Sequence, residues 1–266
     1  MSFSIVFLIA GYSLPTVLHI IGIILLYKSK GGLPNQRIIT LNLATSEMLL
    51  CLLNVIVCTI VFIEHSLILA WVVIIYCLST IFFCATRFAM LHIIIDRVLA
   101  IWLNIKYPLY MSYKNLRLAI ITQWIVVFVL PSATVLLYYF NFIQHRLLGT
   151  IRFCMDIIIL IAAVLTFIYL FLKVKNIVHR NTSQRREQNR TPSVWFKFKV
   201  PMLMVTTFVV LNISGSILYF LRLDGLGQAA FHVLSICGWC SDSLIYIFLQ
   251  KRVRHLIPFK CCSGAN

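Results

Sequence analysis

Residues Leu67 to Leu103 read LILAWVVIIYCLSTIFFCATRFAMLHIIIDRVLAIWL. A bilayer core needs about 20 predominantly apolar residues per helix, and this run is longer. Its charges gather toward the far end, at Asp96 and Arg97, so the segment is expected to project from the membrane there. Six further stretches of spanning length surround it: Phe3 to Tyr27, Ile38 to Ile63, Leu118 to Phe142, Phe153 to Leu172, Val200 to Leu221 and Leu226 to Leu249. Lipid offers no partner to unpaired backbone groups, so these segments read as helices. A closed barrel would need alternating segments of ~10 residues, and none are present. The expected fold class is an all-α membrane protein, a seven-transmembrane helix bundle forming one domain over residues 1–266, with a tail at 250–266.

Composition agrees. Of 266 residues, 61% are hydrophobic and 11% charged, where a soluble domain has about 45–50% and about 25%. That excludes a water-soluble globular enzyme. The formal net charge of +16 would suggest nucleic acid on a soluble chain. Here 18 of the 23 Lys/Arg lie in alternate linkers and the tail: Lys28, Lys30 and Arg37; Lys106, Lys114 and Arg117; eight between Lys173 and Lys199; and Lys251, Arg252, Arg254 and Lys260. The opposite side has Arg146, Arg152 and Arg222. The positive-inside rule then places the N-terminus outside and the C-terminus in the cytoplasm. The charge is topology facing anionic lipid, and no nucleic-acid partner is expected.

Met1 to Ala10 lacks a basic n-region and a small-residue cleavage site, so the first span is expected to insert and stay. The sequons at Asn181 and Asn212 fall on the cytoplasmic side and inside a span, so neither is expected to be glycosylated. No internal repeat is evident, and repeats mark many transporters.

Ionisable groups at membrane depth are costly, so each is a functional candidate. Glu47, Asp96, Asp156 and Asp242 put four of the seven acids within the spans or at an inner end, with Arg87 and Arg97 beside them. Ser79, Phe83, Thr86, Met90, Ile93 and Arg97 recur at helical spacing on one stripe. Ser235, Trp239, Asp242 and Tyr246 form a second, and Phe208, Asn212, Gly215 and Tyr219 a third. Three polar stripes facing one another describe a hydrated interior. The plainer reading is that these groups hold helices together by hydrogen bonds of about 0.6–2 kcal/mol each.

The end of the third span reads Ile95-Asp96-Arg97-Val98-Leu99-Ala100-Ile101, followed by Tyr107-Pro108-Leu109. The second reads Asn42-Leu43-Ala44-Thr45-Ser46-Glu47. The fourth carries Trp124, the fifth Tyr169 before a basic stretch, and the seventh ends Asp242-Ser243-Leu244-Ile245-Tyr246. In this order the motifs resemble the rhodopsin-like (class A) G-protein-coupled receptors. The resemblance implies a plasma-membrane receptor, not an enzyme, that relays an unknown small extracellular ligand to a heterotrimeric G protein. It implies a switch of Asp96, Arg97, Tyr169 and Tyr246. It puts a ligand site around Ser79, Thr80, Phe83, Asn212, Tyr219 and His232, with Ser79 in place of the amine receptors' Asp. It offers Glu47, Thr86 and Asp242 as a sodium pocket, with one shared proton as the alternative. The basic amphipathic tail corresponds to a short eighth helix, and Cys261 and Cys262 after it suit palmitoylation or are free cytosolic thiols.

The chain also departs from the pattern. His19 stands for the first-span Asn, Val72 for the outer Cys, Arg87 for an apolar residue and Ile161 for the fifth-span Pro. Leu211-Asn212-Ile213-Ser214 replaces Cys-Trp-x-Pro, and Ser243 the seventh-span Pro. The acid at the start of span six is missing, so some basal signalling is expected. Cys237-Gly238-Trp239-Cys240 has thioredoxin-type spacing but lies in an apolar span. Rival readings are a small ion- or proton-coupled transporter or channel using Glu47, Arg87, Asp156 and Asp242, and a degenerate receptor-like chain that no longer signals.

Overall fold

A computed structural model describes residues 2–28, 34–64, 69–103, 107, 111–139, 153–166, 168, 169, 172, 202–220 and 224–249. Helices make up the described elements, and no strand occurs among these residues. In chain order they are α1 (Ser2–Lys28), α2 (Pro34–Glu64), α3 (Leu69–Leu103) and α4 (Tyr113–Tyr139). Then come α5 (Phe153–Thr166) and α6, which runs over Met202–Ile213 and on through Ser214–Phe220. Last is α7, Asp224–Leu244 continued by Ile245–Leu249.

Among the described residues, four segments are long and apolar enough to cross a membrane: Ile5–Lys28, Asn35–Ile63, Cys77–Ala100 and Ala229–Phe248. The described part of the chain is therefore all-helical and of membrane-protein character. Each of the seven apolar stretches of the sequence contains a helix, those of α5 and the first part of α6 being shorter than a full span.

Burial is inverted relative to a soluble protein. On α1, Phe7, Leu14, Val17, Ile21 and Ile24 are exposed, while Tyr12, Thr16, His19, Gly22 and Leu26 turn inward. On α4, Leu118, Ile121, Ile125 and Val129 are exposed, while Gln123 is buried. Apolar groups outward and polar groups inward is the distribution that hydrocarbon solvent selects.

Helix α1 packs on α2 and α7, α2 on α3 and α4, α3 on α4, and α6 on α7. The main core joins Leu26, Leu43, Met90, Ile159, Phe208 and Tyr246, from six different helices. Pro15 lies within α1, and Pro34 opens α2, where a proline costs no helical hydrogen bond.

Two helices change pitch where the sequence has no proline. Phe208–Ile213 in α6 and Ile245–Leu249 in α7 are π-helical. A widened turn, with hydrogen bonds reaching one residue further, takes the place of a proline kink.

Candidate functional site

The buried polar groups fall into clusters along the bundle. At the Arg97 end, Asp96 and Arg97 pair directly, and both are buried. The Tyr107 hydroxyl also donates to Asp96. With its amide oxygen toward α3, Gln36 accepts from Arg97 Nη1 at 2.7 Å and Nη2 at 3.2 Å. Next to it, Asn35 donates to the Met111 carbonyl. Arg97 is thus held from its own helix and from the first turn of α2. Burial pushes the Tyr107 phenol up to about 12, with the hydrogen bond to Asp96 and the carboxylate charge acting the same way.

Nearer the middle, Glu47 and Asp242 interact across α2 and α7, and both are fully buried. Thr207 donates to Asp242 Oδ1 at 3.0 Å. Beyond their contact with each other, both Glu47 oxygens and Asp242 Oδ2 have no hydrogen-bond partner. His19 Nε2 lies 3.5 Å from Glu47 Oε2, too long for a good hydrogen bond. The imidazole's Nδ1 is bonded to the Tyr246 hydroxyl. That hydroxyl donates to Ser243 Oγ at 3.4 Å, and Ser243 donates to the Trp239 carbonyl at 2.9 Å.

Unpartnered carboxylate oxygens facing one another fit a hard monovalent cation or one shared proton. Among the described residues no group of three or more His, Cys, Asp or Glu is placed to hold a metal ion. The third expected oxygen, Thr86 Oγ1, already donates to the Phe83 carbonyl at 2.7 Å and accepts from Arg87 Nη1 at 3.5 Å.

Arg87 is the residue whose role least follows from the sequence. Its Nε donates to Asp156 Oδ1 at 2.6 Å, tying α3 to α5. The two side chains are 3% and 1% exposed, so the ion pair is almost fully withdrawn from solvent. The guanidinium lies 4.0 Å from the Phe83 ring centroid and 4.7 Å from that of Phe208. Those rings supply attraction that water would otherwise give. Phe208 opens the π-helical stretch of α6.

Toward the Tyr12 end, the Tyr12 hydroxyl and His232 Nδ1 are 2.5 Å apart, joining α1 to α7. Tyr12 also packs on Trp239. Asn212 is buried, its Nδ2 finds no partner, and a methyl group on Gly238 would lie 2.6 Å from it. A third link is structural: Asn42 donates to Gln123 at 3.0 Å, Trp124 donates to Asn42 at 2.9 Å, and Gln123 donates to the Ala85 carbonyl at 3.2 Å.

The structure brings together Asp96 with Arg97, and Glu47 with Asp242. It places Tyr246 on His19 and His232 on Tyr12. Thr80 is buried, Ser79 and Phe83 are half-buried, and Tyr169 is half-buried on the chain beyond α5. The side chain of Tyr219, the basic segment from Lys173 to Lys199, the tail, and Cys261 and Cys262 lie outside the described residues. Cys237 and Cys240 are free thiols. Sequence reasoning missed Gln36 and Gln123, and it quoted Tyr107 within a motif without giving it a role. It registered His19 only as an unusual residue, although a histidine at membrane depth is itself a signal. No protein-family model and no curated protein matches the sequence, so a functional assignment rests on the residues and their geometry.

Proposed function

We propose that the chain is a divergent receptor of the rhodopsin-like, G-protein-coupled type. It would lie in the plasma membrane with the N-terminus outside and the C-terminus in the cytoplasm. Seven helices would carry a signal from a small ligand in the outer half to a heterotrimeric G protein at the Arg97 end. The observation that carries this reading is Arg97, buried beside Asp96 and held by Gln36. A guanidinium clamped in this way at the end of a long apolar helix is a two-state element: release exposes a cation to a partner, and recapture hides it. Arg87, Phe208 and the π-helical turn of α6 supply a connection from the ligand half to that switch. The unpartnered oxygens of Glu47 and Asp242 supply a site for sodium or a proton as an allosteric ligand. No catalytic role is assigned.

A second reading draws on those same unpartnered oxygens. Glu47, Asp242, His19, Arg87 and Asp156 place five ionisable groups inside the bundle, which suits an ion or proton path. One experiment separates the readings: nucleotide exchange on purified heterotrimeric G proteins, with membranes containing the wild type or Arg97→Ala, beside ionic current and flux in the same cells. Exchange lost in the variant supports the receptor. Flux without exchange supports the transporter. Neither activity indicates a receptor-like chain that has lost signalling.

A further inference from the structure

We propose that Arg87 is the resident cation of the Glu47–Asp242 site: α3 itself supplies the positive charge that the resemblance assigns to sodium, and the wild type takes no sodium ion there. The inference refines the allosteric site of the receptor reading above and rests on that reading only for what the site regulates. The ion preference itself involves no G protein.

The two carboxyls by themselves would suit a hard cation. Such an ion is held by several oxygens at once, and the third one expected is Thr86 Oγ1. That oxygen is committed: it donates to the Phe83 carbonyl at 2.7 Å and faces Arg87 Nη1 at 3.5 Å. The residue next to the oxygen that sodium would need is therefore itself a cation. Arg87 is buried, and its charge acts on both Glu47 and Asp242. Charges inside a bundle are poorly screened, so a second cation beside the guanidinium is repelled.

Arg87 is also fixed in place. The rings of Phe83 and Phe208 lie 4.0 and 4.7 Å from its Cζ, and an aromatic ring presents no oxygen to a metal ion. Asp156 Oδ1 accepts from Nε at 2.6 Å, while Asp156 Oδ2 has no hydrogen-bond partner. The two-bond fork by which a carboxylate saturates a guanidinium is thus only half made. The field of Arg87 is shared between Asp156 on α5 and the acids of α2 and α7. A dissolved cation comes and goes with salt. A tethered one answers to α5, which holds it through Asp156, so helix packing sets the charge balance of the site.

Thermal unfolding of the full chain in lipid nanodiscs, in sodium chloride and in choline chloride at equal concentration, tests this. The wild type should melt at the same temperature in both. Arg87→Leu with Asp156→Leu removes the cation and its counter-charge together and should make the chain respond to sodium. Once sodium exceeds its dissociation constant about fivefold, this variant should melt roughly 2–4 °C higher in the sodium salt. Arg87→Gln with Asp156→Asn serves if the leucine pair does not fold. Adding Asp242→Asn should abolish the response, which locates the ion. Asp96→Asn with Arg97→Gln removes a pair of the same composition at the other end and should leave the chain indifferent to sodium. A sodium-specific rise in the wild type would overturn the proposal, whether or not any variant folds. So would a folded double variant at Arg87 and Asp156 that ignores sodium, or a response that survives Asp242→Asn. A wild type that activates no G protein would sink the receptor reading, and the melting curves would still decide the ion preference.

Discussion

Arg87 and Asp156, 69 positions apart in the chain, meet at 2.6 Å with the guanidinium stacked on Phe83 and Phe208. Withdrawing two charges from water is expensive, and only close geometry recovers the cost. Losing one partner therefore hurts more than losing both. Arg87→Leu alone is expected to cost about 3–5 kcal/mol, while Arg87→Leu with Asp156→Leu should be near neutral. Thermal unfolding of the four proteins of this cycle in detergent checks it. A loss in the double variant equal to the sum of the two single losses would show that the pair is not coupled.

The two facing carboxyls lead to a different sign. Asp242→Asn replaces one of two facing buried carboxyls and gives Glu47 an amide donor. The variant is expected to be more stable than the wild type. For a chain of this size each kcal/mol moves the melting temperature by roughly 2–4 °C. Scans in sodium chloride and choline chloride then separate cation from proton. A sodium-specific rise in the wild type that vanishes in the variant identifies a cation. Equal curves in both salts identify a shared proton. A lower melting temperature for the variant in both would refute the repulsion.

At the Arg97 end, Gln36 accepts from the guanidinium, and on the proposed receptor reading it would help to hold Arg97 in place. Gln36→Leu should raise agonist-free nucleotide exchange and lower the melting temperature. Removing hydrogen bonds to a charged group costs about 1.5–3 kcal/mol. Gln36→Glu should restore both. Basal exchange unaffected by either substitution would remove Gln36 from the lock.

Tyr107 supplies a pH signature. Its phenol is raised from 10.0 to about 12 by burial first, and then by Asp96. A group whose folded value lies above its unfolded value stabilises fully below the unfolded value and loses that contribution as pH rises through the folded one. Between about pH 10 and 12 the wild type should therefore lose stability faster than Tyr107→Phe. Chemical denaturation at pH 9 and pH 11.5 measures the difference. Parallel losses would show that Tyr107 holds its proton equally in the folded and unfolded chain.

Much of the architecture is legible residue by residue. The stripe Thr86, Met90, Ile93 and Arg97 is readable from spacing, and all four side chains are buried. Ser235, Trp239, Asp242 and Tyr246 on α7 behave alike. Asp96 and Arg97 are adjacent, so their pairing needs no tertiary information. The four acids in or at the end of the spans are readable as costly, though not with whom they pair. The π-helical stretches had no sequence marker, because a widened turn is a shift of hydrogen-bond register that no single residue type announces. Gln36 looks like an ordinary polar residue at a helix start, and Tyr107 is readable only as part of a motif, without its contact to Asp96. Their importance arises from where the ends of α2 and α3 come to lie.

Hydropathy and the 3.6-residue period act within a segment. In lipid each helix satisfies its own backbone, so these local quantities suffice to specify helices, membrane character and the inward stripes. Partner choice is not local. That Arg87 takes Asp156, Tyr246 rests on His19 and Gly22, and Gln36 reaches Arg97 depends on the rotation and height at which neighbouring helices pack. Those settle jointly among all the contacts of the bundle.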